Sequence, residues 1–196
     1  MADALSGTAS AGAPHDPPPL VTGTALWAAI VDEAAAESRL WADVTLPPSQ
    51  QEPVPVFSPL GEPRFALGLE TIYEGYLVHY GAPRLFAPAD RDSAILLGDY
   101  LYAHGLVRIA EHDDVAAVAN LSELISLCSL LQGEKRDGDG PLWAAHAALL
   151  GQGGLQEARV ALRDARDPEP LLALARERAG AAAVKTALAA HERRVR

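Results

Sequence analysis

Apolar residues recur every three to four positions along most of the chain, the spacing that lines one face of a helix. A first helix is expected from about Thr24, read as its N-cap, through Trp27, Ile30, Ala34 and Leu40-Trp41. Pro47, Pro48, Pro53, Pro55, Pro59 and Pro63 then remove backbone donors and block helix, which predicts an extended crossing segment. The stretch 64–79 reads as a second helix with Leu67, Ile72, Tyr76 and Leu77 on a buried side, closed by Gly81-Ala82-Pro83. Asp90 and Asp92 favour the start of a strongly apolar helix reaching about Glu111, expected to be the most buried element. Asp113-Asp114 open a further helix whose stripe Val115, Val118, Leu121, Leu124, Cys128 and Leu131 ends near Gly133. After the turn-rich 135–140, four shorter helices are expected over 141–150, 155–165, 168–178 and 181–194.

Composition turns this pattern into a fold class. Hydrophobic residues make up 49% of the 196, mostly Ala and Leu, while aromatics are only 6%, which favours closely packed helices over a sheet. The chain is read as all-α: a disordered tail rich in Ala, Gly, Ser, Thr and Pro over 1–22, and one helical domain over 23–196. A net charge of −10 repels phosphate backbones and argues against nucleic acid as a partner. The charge is uneven, with 7 basic and 20 acidic residues in 1–154 against 9 and 6 in 155–196, so the C-terminal segment is locally basic. No base precedes Arg39, and Asp, Glu, Arg or Gly interrupt the apolar runs, so neither an export signal nor a transmembrane segment is expected and the protein is placed in the cytoplasm. Cys128 is the only cysteine and reads as a small buried hydrophobe. The six histidines show no metal-binding spacing, and no metal is assigned to them.

Three features stand in order over 65–134, His79-Tyr80-Gly81-Ala82-Pro83, the stretch from Asp92 to Glu111, and Gln132-Gly133-Glu134, and together they resemble the trans-type polyprenyl diphosphate synthases. The stretch DSAILLGDYLYAHGLVRIAE, from Asp92 to Glu111, is similar to that family's AILLGDYLLA helix. His79-Tyr80-Gly81-Ala82-Pro83 stands where the family has a loop of the form Arg-Arg-Gly-x-Pro, and Gln132-Gly133-Glu134 resembles its Gly-Glu step. The resemblance implies a truncated isoprenoid-synthase-like bundle in which Gly81, Pro83, Gly98, Asp99 and Gly133 are structural motif residues. Gly98 and Gly105, seven apart on one face, should let a neighbouring helix approach closely. Asp99, if buried, would need Arg91, Arg108 or a backbone donor as a partner.

The family ionises allylic diphosphates with Mg²⁺ held by two aspartate-rich motifs and with arginines clamping the diphosphate. The first motif falls on 70–74, where Glu70 and Glu74 keep the outer acidic positions but Thr71 replaces the middle aspartate. The paired arginines become His79 and Tyr80, and no second Asp-Asp-x-x-Asp pattern follows Glu134. Glu70, Glu74 and His79 therefore form a degenerate metal and diphosphate site, or the glutamates are an ordinary solvated helix face. No catalytic residue and no cofactor is assigned; Mg²⁺ enters only if the chain is an enzyme. The leading expectation is a non-catalytic or regulatory subunit or paralogue, a homodimer or a heteromer with a prenyl diphosphate synthase. A prenyltransferase completed by a partner subunit, or a helical scaffold unrelated to isoprenoids, are the alternatives.

Overall fold

The computed structural model describes residues 20–195, so the first 19 positions of the expected tail lie outside it. Among the described residues there are nine helices and no strand, which makes the fold all-α. They are α1 (Thr24–Glu37), α2 (Arg39–Asp43), α3 (Ala66–Tyr80), α4 (Arg91–Ala110), α5 (Val115–Gly133), α6 (Asp139–Ala148), α7 (Gln156–Val160), α8 (Glu169–Ala179) and α9 (Ala181–Val195). A π-helical turn, Ala161–Ala165, continues α7.

Polar side chains set several boundaries. Asp90 accepts the backbone N–H of Ser93 at 2.8 Å and Asp114 that of Ala117 at 2.9 Å, each satisfying a donor left free in a first helical turn. The expected first helix is divided, because Ser38 is extended and its hydroxyl accepts from Leu40 N, which caps α2. The N-cap of α1 is Gly23 in place of Thr24. The proline-rich segment is extended only in part: its first half runs beside 84–87, with Leu46 N donating to Leu85 O at 2.9 Å and Glu52 N to Arg84 O at 3.0 Å. The second half tightens into 3₁₀ turns at Ser58–Leu60 and Pro63–Phe65.

The closest helix pair is α3 against α4, and glycines on both sides permit it. A Cβ built on Gly75 would lie 2.9 Å from the carbonyl oxygen of Gly98, and one on Gly105 would lie 2.9 Å from that of Gly68. Only backbone touching backbone fits there. The expectation that α4 is the most buried element is overturned: α3 is buried at every position from Gly68 to Val78, whereas α4 leaves Ile95, Leu96 and Val107 exposed. The reason is position, since α3 passes between two apolar clusters. The larger gathers Phe57, Tyr73, Trp143 and the inner faces of α5 to α9; the smaller joins Trp27, Trp41, Phe86, Leu97 and Leu101.

One helix among the described residues, α5, has the length and mean hydropathy (1.5) of a membrane span, and Glu123 interrupts its apolar run as the sequence reading expected. It packs beside α4 and α6 as a bundle helix, with Leu121, Leu124, Cys128 and Leu131 in the core.

Candidate functional site

Glu70 and Glu74 lie one turn apart on α3 and both point inward. The turn at Gly81-Ala82-Pro83 reverses the chain so that Arg84 returns between them. Its Nη1 donates to Glu70 Oε2 at 2.6 Å and its Nε to Glu74 Oε2 at 2.9 Å. The other carboxylate oxygens are taken by backbone: Val56 N and Ser58 N donate to Glu70 Oε1, each at 3.1 Å, and Arg84 N and Leu85 N to Glu74 Oε1, each at 2.8 Å. Arg84 also donates to Val54 O and stacks over the rings of Trp27 and Tyr73 at 4.9 and 5.0 Å. All three charged side chains are fully buried, so the reading of the glutamates as a solvated face is corrected. Burial works against the charge of Arg84, but the two carboxylates outweigh it and raise the guanidinium's pKa. A guanidinium thus fills the space between the carboxylates.

His79 faces another way, onto α4. Its Nε2 lies 3.2 Å from Asp99 Oδ1, and its ring sits against Gly98 between Tyr80 and Tyr102. Burial lowers its pKa, and the Asp99 charge opposes that only in part. The expectation for Asp99 changes as well: its side chain is 68% exposed, and its partner is His79, not Arg91 or Arg108. Arg108 instead donates to Thr71 at 3.0 Å and pairs with Glu33. Gly81 is needed for space, because a Cβ there would lie 2.7 Å from the Arg194 carbonyl oxygen, which accepts from Ala82 N at 2.8 Å. Pro83 is half-buried in the same turn, while Gly133 ends α5 with open space around it. Among the described residues no three His, Cys, Asp or Glu side chains converge as a metal ion would require.

A second polar group lies under a cleft of about 630 Å³ between α6, α8 and α9. Tyr73 hydroxyl stands 3.0 Å from His191 Nδ1, His191 Nε2 stands 3.0 Å from Asp139 Oδ2, and Tyr76 hydroxyl donates to the same oxygen. Gln132 donates to Tyr76 hydroxyl at 2.8 Å. Burial disfavours the Asp139 anion, yet the hydrogen bonds from His191 and Tyr76 prevail and its pKa falls. A hydroxyl, an imidazole and a carboxylate in series is the order of a hydrolytic triad. Here the hydroxyl is sealed in the core, and burial raises its pKa. Both imidazole nitrogens are engaged, which leaves His191 no lone pair for a molecule in the cleft. The group ties α3, α5, α6 and α9 together.

Compared with family models, curated proteins and solved structures, the chain matches none of them. Sequence reasoning passed over Arg84, Asp139 and His191. Arg84 carried a usable signal, as the first base after a pair of carboxylates spaced i, i+4. The His191 contacts carried none, since Tyr73 lies 118 positions away in the chain.

Proposed function

We propose that this chain is a non-catalytic relative of the polyprenyl diphosphate synthases that acts by binding another protein chain. One observation supports the reading above others: Arg84 and four backbone N–H groups take up the oxygens of Glu70 and Glu74. A Mg²⁺ ion would have to expel a buried guanidinium from carboxylates already matched to it in charge and geometry, which makes that exchange strongly unfavourable. His79 faces Asp99 and Gly98 and not the glutamates, so among the described residues it does not stand in for the arginine clamp.

The purified chain, incubated with isopentenyl diphosphate, an allylic diphosphate and Mg²⁺, is expected to give no product above a no-protein control. Product that disappears in Glu70→Ala and Glu74→Ala variants would overturn the reading in favour of an enzyme. Purification of the tagged chain from its own cells is expected to recover a prenyl diphosphate synthase or a second copy of the chain. Recovery of neither leaves the helical-scaffold alternative in its place.

A further inference from the structure

Helix α9 presents one face, Ala181, Lys185, Leu188, Glu192 and Val195 at spacings of three and four, to a trough that follows it for about 20 Å. Three hollows join to make the trough. One of about 410 Å³ lies between α8 and α9 and shares Leu188 and Glu192 with the 630 Å³ cleft; the cleft shares Asp137 and Arg166 with a third, of about 310 Å³, in the turn after α5. The floor is apolar, with Leu172 and Leu188 half-buried in it and Pro141, Pro168 and Val195 around them. The rim is basic. Lys135, Arg166 and Lys185 are exposed along it and pair with no carboxylate among the described residues. Arg136 brings two of them together: its Nη2 donates to the Leu162 carbonyl oxygen at 2.7 Å, which holds the turn carrying Lys135 against the turn carrying Arg166. Asp137 and Glu192 line the trough as well, while Asp139 is already engaged by His191 and Tyr76. On a chain whose net charge is −10, three unpaired bases around one hollow surface make a local positive potential that attracts acid.

We infer that the trough along α9 docks an acidic amphipathic helix of another protein, an inference that rests on the binding reading above and names the surface and the chemistry it recognises. The apolar stripe of such a helix would lie on Leu172, Leu188 and Val195. Its carboxylates would reach Lys135 and Arg166 at one end of the trough and Lys185 at the other. The length matches, since about 20 Å holds roughly four helical turns. A nucleic acid fits less well, because its row of phosphates would meet a chain that is acidic outside the trough. A compact small molecule would fill the 630 Å³ cleft alone and leave Lys135 and Lys185 without a partner.

A labelled peptide of about 16 residues, with Leu at helical spacing and Glu elsewhere, is titrated with the full chain and followed by fluorescence anisotropy. It is expected to bind saturably at roughly 10–100 μM in about 50 mM salt. Raising the salt to about 0.3 M should weaken binding severalfold, as screening of exposed charges requires. Arg166→Glu and Lys185→Glu, both at exposed positions outside the core, should each weaken it roughly tenfold without changing the far-ultraviolet circular dichroism. Arg91→Glu, at the exposed start of α4, should leave it unchanged. The absence of saturable binding overturns the inference, and so does binding indifferent to both trough substitutions. Equal affinity for a scrambled peptide, or for one with Lys in place of Glu, overturns it as well. None of these outcomes bears on the condensation assay or on which protein is recovered with the tagged chain, so the two proposals fail separately.

Discussion

Arg84 holds two buried carboxylates that without it would face each other across one helical turn. Burying such a triad gains little over a well-packed apolar core, but removing one member leaves the others uncompensated. Arg84→Met should therefore lower stability by about 3–5 kcal/mol in urea denaturation. Converting Glu70 and Glu74 to Gln in the same protein should recover part of that loss, because no buried anion remains. A single Arg84→Met variant as stable as the parent would show that the guanidinium does not bridge the glutamates. Composition does not disclose this residue's role. Its place as the first arginine after the paired carboxylates hints at that role, and the turn at 81–83 realises it by bringing Arg84 back over α3.

Among the elements, α3 and α4 show how far periodicity reaches. The seven-residue spacing of Gly98 and Gly105 pointed to close packing on α4, and the pair Gly68 and Gly75 on α3 completes it from the other side. Gly105→Ala would put a methyl group 2.9 Å from the Gly68 carbonyl oxygen and still closer to Ile72. The gain in helix propensity, about 1 kcal/mol, should not offset the overpacking, and a net loss of roughly 1–2 kcal/mol is expected. A melting temperature at or above that of the parent would contradict the contact. Periodicity misjudged the rank of the two helices, because α3 occupies the middle while α4 keeps one face outward. Hydrophobicity measures how readily a helix can be buried; what surrounds it decides whether it is.

The whole molecule registers acid through His146, which lies on α6 inside the larger core. Its Nδ1 is 2.9 Å from the Leu142 carbonyl oxygen, and burial, helped by the charge of Arg159, lowers its pKa from 6.5 to about 4. Between those values the unfolded chain binds a proton that the folded chain refuses, so stability is intact above pH 6.5 and falls as pH drops toward 4. The loss attributable to this residue is on the order of 3 kcal/mol at most. Urea midpoints measured from pH 7 to pH 4.5 should fall less steeply for His146→Met than for the parent. Equal slopes would mean that His146 is not held neutral.

Local chemistry determined by itself that this chain is helical, where most helices start and stop, and that two glycines on α4 mark a close contact. Those features depend on interactions within a few residues: caps such as Asp90 and Asp114, the prolines of 47–63, and the 3–4 spacing of Leu and Ala. Only the tertiary structure decided that Glu70 and Glu74 are sealed by Arg84, that Asp99 is exposed beside His79, and that His191 joins Tyr73 to Asp139. Each of these depends on which side chains meet after the chain has turned back on itself. A carboxylate, an arginine or a histidine has the same local sequence preferences whether it meets water, a metal ion or an opposite charge. Its chemistry is fixed by the dielectric and the partners that the completed fold places around it.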